Sequence, residues 1–482
     1  MKEIFSKHPI AYAVSVSLLL ASTPLLAAGN TDTSNAIDDT NNAELLQRME
    51  LLERELQALK AELRRQSQPQ PPASLPAREL SQQRVAEERL DVQPIDPPII
   101  TQKKDDSSGT QLSYGGFIKV DGLWSKSSDQ QRSNGGGDDY LVPSSIGVGD
   151  GSGGGDGVFD STAKFSRFWL KTTTQTSAGL VTGYVEMDFN GSADERLTNQ
   201  SSNGMRHAYL SWDYSANSSL LVGQTWSTFF NDAALPEAVD FVGPTSGVIF
   251  ARQTQVRWTH RLGGRSSVML AAENPSVSVY DAGGGYEHNA VDDSLMPDLV
   301  ARYNGQLGND FHYSVAGMVR EIAYDDATTG LDDRRYGYGI SVSGKWQFSN
   351  GDDLKFMVSQ GNLGRYLALN AFRDAAVAAD GGLDLIDSGG GYVAYRHLWN
   401  DKFRSTFSYA VSTADNPAGV VVSADLPDTR LTETVANANI NLIYSPTPKL
   451  SFGAEYLYAT REIESGQDGD LKRLQFMGKW LF

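Results

Sequence analysis

The chain has 482 residues, a formal net charge of −18 and no cysteine. Without cysteine, neither a disulfide framework nor a thiolate metal site is available. After the first residues no apolar run is long enough for a transmembrane helix, so a membrane-embedded form of this chain has to be a β-barrel.

Residues 1–28 read as a secretory signal. Lys2 and Lys7 form a positive start, Ile10 to Leu20 a short apolar run, and Ala27 and Ala28 a small-residue cleavage site. The segment carries one net positive charge, so the exported chain is expected at −18 − 1 = −19. Asn41 to Leu63, within a segment spanning 41–65, has heptad spacing: Met49, Leu56 and Leu63 occupy one core position, and Leu45, Leu52 and Leu59 the other. Arg48/Glu53 and Glu55/Lys60 have the flanking spacing that joins parallel helices by opposite charges, so an oligomeric coiled coil is expected. An amphipathic helix packed on its own domain is the alternative. Residues 66–110 are a linker, stiffened by Pro69, Pro71, Pro72, Pro76, Pro94, Pro97 and Pro98.

Residues 111–482 read as one all-β domain of alternating segments. In the first, Leu112, Tyr114, Gly116, Ile118, Val120 and Trp124 face one way, and Gln111, Ser113, Lys119 and Asp121 the other. Further segments lie near 163–174, 179–190, 204–214, 218–228, 250–262, 265–274, 297–305 and 310–322. The remainder lie near 335–348, 352–362, 389–399, 402–412, 434–445, 448–460 and 469–482, which makes sixteen. The last alternates Leu474, Phe476, Gly478, Trp480 and Phe482 with polar and basic residues, as expected of a strand that closes a barrel. An edge strand of a soluble sandwich is the alternative for this stretch alone. Connections are expected to alternate strictly between short turns, such as 176–179, 263–264 and 400–401, and longer loops. That is the outer-membrane arrangement, with both chain ends on the short-turn side.

A cation at mid-membrane on the lipid face costs about 2–4 kcal/mol, so the polar set should face inward. Sixteen strands enclose an interior too wide for side chains to fill, and water is expected there. Parity places Lys119, Arg167, Lys171, Arg257, Arg302, Arg320, Lys345, Lys355, Arg404, Arg473 and Lys479 inside. It places fewer acids there: Asp121, Glu186, Asp188, Glu273, Asp298 and Glu455. The loop 229–249 is unusually apolar for a surface loop and should fold into the lumen. Its Asp232, Glu237 and Asp240 are expected to oppose Arg167, Lys119 and Arg257, setting a transverse field across the narrowest point.

The segment 166–171 (SRFWLK) with Gly179-Leu180, and the segments 206–210 (RHAYL) and 222–226 (VGQTW), resemble Gram-negative trimeric porins. The segments 235–241 (LPEAVDF) and 252–258 (RQTQVRW), behind a coiled coil, most resemble the DcaP-like porins. That resemblance implies a trimeric sixteen-stranded channel with an N-terminal periplasmic extension, used for uptake of negatively charged organic acids. The first loop has no counterpart in it.

The sequence thus predicts a passive outer-membrane channel favouring small organic anions, dicarboxylates or aromatic carboxylates. Candidate constriction or solute-binding residues are Lys119, Arg167, Lys171, Arg252, Arg257, Arg302, Glu237 and Asp240. The chain is expected to be a homotrimer in outer-membrane lipid, needing no cofactor or metal and binding no nucleic acid. A general nonspecific porin is one alternative. A barrel anchor whose coiled coil docks on peptidoglycan or a periplasmic protein is another. No nucleophile-and-base motif nominates an enzyme. The stretch 147–157, with Asp150 and Asp156, is a single Gly/Asp copy and reads as a flexible loop rather than a calcium repeat.

Overall fold

The computed structural model describes residues 100–102, 109–129, 139–149, 154, 156–191, 202–263, 265–281, 286–291, 293–327, 330–378, 381–417 and 431–482. The signal segment, the heptad segment 41–65 and most of the linker 66–110 lie outside the described residues.

Among the described residues the main sheet has eighteen strands. Two are short accessories, Ile100–Gln102 and Val158–Thr162, both paired with the first long strand. The other 18 − 2 = 16 form a closed antiparallel barrel. In chain order they are β1 Thr110–Ser127, β2 Arg167–Thr176, β3 Gly179–Gly191, β4 Ser202–Asp213, β5 Ser218–Trp226 and β6 Arg252–Gly263. Next come β7 Ser266–Glu273, β8 Asp298–Leu307, β9 Phe311–Asp326, β10 Leu331–Gln347 and β11 Asp353–Gly361. The last are β12 Asp387–Leu398, β13 Phe403–Asp415, β14 Thr432–Thr447, β15 Leu450–Ile463 and β16 Asp468–Leu481. Closure runs from Phe117↔Leu481 to Ser127↔Leu471, so the terminal alternating segment pairs with the first strand and neither keeps an open edge there.

The period of two sets the two faces. Ile118, Val120 and Trp124 on β1, Val185 and Met187 on β3, Val315 and Val319 on β9, and Leu474, Phe476 and Trp480 on β16 are exposed on the outside. Their neighbours Lys119 and Asp121, Glu186 and Asp188, Ser314 and Arg320, and Arg473 and Gln475 are buried on the inside. An apolar belt around a polar interior is what a hydrocarbon surrounding selects. No helix among the described residues is long and apolar enough to cross a membrane.

The strict alternation of loop length does not hold. On the long-loop side, β9–β10 and β15–β16 are joined by 327–330 and 464–467 alone. The reason is strand extension: β9 and β10 run 16 and 17 residues, so polar residues assigned to loops carry on the ladder beyond the apolar belt. A second, four-stranded sheet of Val277–Asp281, Tyr286–Val291, Ala375–Val377 and Leu383–Leu385 joins the loops after β7 and β11. On the short-turn side, Asp352 ties the β10–β11 turn to β12. It accepts from Tyr395 Oη at 2.6 Å, from Leu398 N at 2.8 Å and from Asn350 Nδ2 at 2.8 Å, and His397 Nδ1 lies 2.9 Å away. These donors, Tyr395 foremost, hold its carboxyl well below the usual range.

Candidate functional site

The loop 227–251 between β5 and β6 enters the barrel. Phe229, Phe230, Leu235, Val239, Val242, Val248 and Ile249 are all buried. An inward loop has to satisfy its backbone groups without bulk water, and the barrel wall supplies the partners. Glu455 accepts from Val239 N (2.9 Å) and Asp240 N (3.2 Å), and Asn437 Oδ1 from Ser246 N (2.8 Å). Lys355 Nζ donates to Leu235 O (2.7 Å), Lys119 Nζ to Val239 O (3.0 Å), and Arg302 to Phe230 O (2.6 Å) and Asn231 Oδ1 (2.8 Å). The loop is thereby pinned to β1, β8, β11, β14 and β15.

A second loop also fills the interior. Residues 362–386 place Leu363, Leu367, Ala371 and Phe372 in one apolar cluster with Phe229, Val248 and Ile249. Ala368 N donates to Val248 O at 3.0 Å. The expectation of a simply water-filled lumen is therefore corrected: two apolar loops pack against each other inside it. Arg320 on β9 latches the second loop. Its Nη1 donates to Asp374 Oδ1 at 2.7 Å and Asn362 O at 3.2 Å, and its Nη2 to Ser276 O at 2.6 Å. Tyr366 Oη donates to Asp298 Oδ2 at 2.7 Å. Burial and the Asp298 charge push the Tyr366 hydroxyl well above its usual range, which keeps it a donor.

The wall formed by β2, β3, β4 and β6 carries the cationic cluster. Glu186 lies 3.3 Å from Arg167 Nε and 2.7 Å from Arg206 Nε; Arg206 Nη1 reaches Asp188 at 2.8 Å. Arg252 lies 5.0 Å over the Trp226 ring, and Arg206 lies 5.6 Å over Phe241 of the inward loop. The buried Arg252 Nη1 has no hydrogen-bond partner among the described residues. Three guanidiniums against two carboxylates leave 3 − 2 = +1 in this cluster. Arg167 and Arg252 are only half-buried, as are Tyr184, Tyr209, Arg257, Phe241 and Phe250, so the interior keeps open surface along this side.

The eight sequence-selected residues are therefore not one constellation. Arg167 and Arg252 share the cluster. Arg257 lies further along β6 than Arg252, within electrostatic reach of Glu273, Tyr209 and Asp232. Lys171 lies on β2 in register with Tyr184. Lys119 is taken up by Asp121 at 2.6 Å as well as by the loop, and Arg302 by the loop. Glu237 does not oppose Arg167: it is forked by Arg404 on β13 at 2.6 and 2.6 Å. Burial works against the Glu237 charge, but the Arg404 fork outweighs it and holds the carboxyl below its ordinary range. Asp240 accepts from Leu141 N, Val242 N and Gly243 N and lies 3.8 Å from Arg473, so it shapes the loop. Of the expected transverse pairing, Asp232 remains within electrostatic reach of Arg257, whereas Glu237 pairs with Arg404 and Arg167 belongs to a cationic cluster on its own wall.

Parity missed Arg206. Strict alternation puts it outside, with Leu210 and Trp212. The β3–β4 register slips between Glu186↔His207 and Met187↔Met205, and the bulge turns both Arg206 and His207 inward. The apolar run 363–376 was a signal for the second loop, of the same kind as that of 229–249.

A family model described as DcaP outer membrane protein matches residues 81–482. Among solved structures, the outer membrane channel DcaP of Acinetobacter baumannii superposes with a TM-score of 0.65 at 23% identity, over 79% of this chain and 99% of that one. The anion-selective porin from Comamonas acidovorans gives a TM-score of 0.48 at 10% identity over 77% and 100% of the two chains. A Salmonella typhi OmpF complex with daunomycin gives 0.48 at 10% identity over 77% and 99%. A search of curated proteins finds no match.

Proposed function

The chain belongs to the DcaP outer membrane protein family, and from that membership we propose that it is a passive porin favouring small organic anions. The supporting observation is the cluster Arg167, Arg206 and Arg252, which exceeds Glu186 and Asp188 by one charge beside open interior surface and holds an unpartnered guanidinium nitrogen. A guanidinium holds a carboxylate through two parallel hydrogen bonds, and a second cation nearby suits a dicarboxylate. Selectivity follows the local charge of the pore, not the net charge of the chain. Nothing in this transport requires a catalyst or cofactor: solute moves down its gradient.

Reversal potentials across a KCl gradient test the reading in planar bilayers. The wild type should be anion-selective, and millimolar dicarboxylate should block its current. Arg167→Ala with Arg252→Ala should weaken that block by more than about tenfold, since each lost charge-assisted contact is worth about that factor, with the barrel still folded. A cation-selective wild type would overturn the reading. Equal passage of neutral and anionic solutes of one size would leave a general porin.

The heptads of 41–65 support assembly into an oligomer, and the resemblance to trimeric porins supports three chains, a homotrimer in outer-membrane lipid. The full-length protein in mild detergent should have the mass of three chains; a monomer there would contradict this.

A further inference from the structure

The outer face of the barrel carries two lysines side by side. Lys126 on β1 and Lys472 on β16 are cross-strand partners in the closing register. Both point outward and both are exposed, the next pair on the outward face beyond Trp124↔Leu474. Below them lies an apolar shelf. Trp124, Phe159, Leu474 and Phe476 are 49%, 54%, 41% and 44% exposed. Trp124 meets Phe159 at 4.5 Å and Phe476 at 5.9 Å between ring centroids. Lys472 lies 5.6 Å over the Tyr458 ring.

Like charges directly opposite each other on a sheet face destabilise it, so this pair asks for a counter-charge. Asp470 supplies part of it, 3.3 Å from Lys472. Lys126 makes no ion pair among the described residues. The pair stands at the long-loop end of its strands, where the apolar belt gives way to polar loop. A lysine on the lipid face is tolerated only at such a boundary, with its stem on apolar surface and its ammonium at headgroup level. The long-loop side faces outward in the outer-membrane arrangement.

We propose that Lys126 and Lys472 form a headgroup site for a phosphorylated lipid of the outer leaflet, with its acyl chains along Trp124, Phe159, Leu474 and Phe476. The phosphate supplies the missing negative charge and accepts hydrogen bonds from both ammonium groups. The aromatic shelf supplies the apolar contact that separates a lipid from a soluble anion. The site rests on the outer-membrane reading but not on the selectivity assigned to the lumen.

Native mass spectrometry of the full chain, released from detergent after incubation with a bis-phosphorylated acylated glucosamine disaccharide (lipid A), tests it. The wild type should retain lipid A, and Lys126→Gln with Lys472→Gln should retain about tenfold less. Phosphatidylcholine, whose headgroup is zwitterionic, should show no difference between the two proteins. Heat-modifiable migration and unchanged conductance in bilayers verify that the variant is folded, since both lysines lie outside the lumen. Undiminished lipid A retention by the variant would overturn the site. So would competition by inorganic phosphate at equal concentration, which would mark a soluble-anion site. A variant that changes the oligomer mass while lipid retention stays the same would instead make this face a contact between copies, and would also overturn it. Loss of wild-type conductance would refute the porin reading alone.

Discussion

Arg320→Met is expected to lower the melting temperature of the folded barrel and to enlarge and destabilise its single-channel current. Arg320 is fully buried and joins three parts of the molecule. Its guanidinium reaches Asp374 and Asn362 of the second inward loop, Ser276 of the loop after β7, and, at 3.7 Å from Nε, Asp298 at the start of β8. Removing the cation strands Asp374 and Asp298 at full burial. Breaking one partner of a buried ionic network costs about 3–5 kcal/mol, because the remaining charge is left uncompensated. The segment it holds is also strained: Ala368, Leu369 and Asn370 have φ of 51°, 54° and 62°, a left-handed conformation unfavourable for residues with a Cβ. What holds that turn against Val248 and Ile249 is the apolar cluster and the latch together. With the latch cut, the loop is expected to leave the lumen for part of the time. Adding Asp374→Asn should recover part of the lost stability by removing a stranded charge, while leaving the current noisy. Wild-type melting and wild-type current from Arg320→Met would show that the apolar packing alone seats the loop.

That latch shows where the sequence ceased to be legible. Period-two alternation sufficed for the sixteen strands and for which side of each meets lipid, because a one-residue error would turn every side chain of a strand to the wrong solvent. Ile118, Val120 and Trp124 outside and Lys119 and Asp121 inside follow from that rule without any knowledge of pairing. The same rule put Arg320, Arg473 and Lys355 inside. It contained nothing about which of them would be consumed by loops, because that depends on where Leu235, Val239 and Asp374 come to rest. So Lys119, Arg302 and Glu237 read as free pore charges and are instead ties between wall and loop. Arg206 escaped for the opposite reason: one bulge reversed its face, and parity has no memory across a bulge. Loop apolarity was the better guide. It indicated that 229–249 turns inward, and the same criterion applied to 363–376 would have found the second loop.

The residue missed by parity gives the sharpest test of how the cluster works. Arg206 and Arg252 each contribute one charge to it, so removing either takes 3 − 2 = +1 to 2 − 2 = 0. On charge alone, the two substitutions should abolish anion preference equally. Their effects on stability should differ. Arg206 is 3% exposed and bridges Glu186 at 2.7 Å and Asp188 at 2.8 Å. Arg206→Met therefore leaves two buried carboxylates sharing Arg167, and a cost of about 3–5 kcal/mol is expected. Arg252→Ala strands no carboxylate by a direct contact. It loses chiefly its contact with Trp226, worth about 0.5–2 kcal/mol. Arg206→Lys separates charge from shape: it keeps +1, but a lysine has no planar fork with which to span Glu186 and Asp188. That variant should stay anion-selective and melt lower than wild type. Reversal potentials and melting curves on the three variants decide between a summed charge and a single dominant residue. If Arg252→Ala abolishes anion preference while Arg206→Met retains it, the solute responds to the unpartnered Arg252 nitrogen itself, and Arg206 serves only to hold the two carboxylates in place.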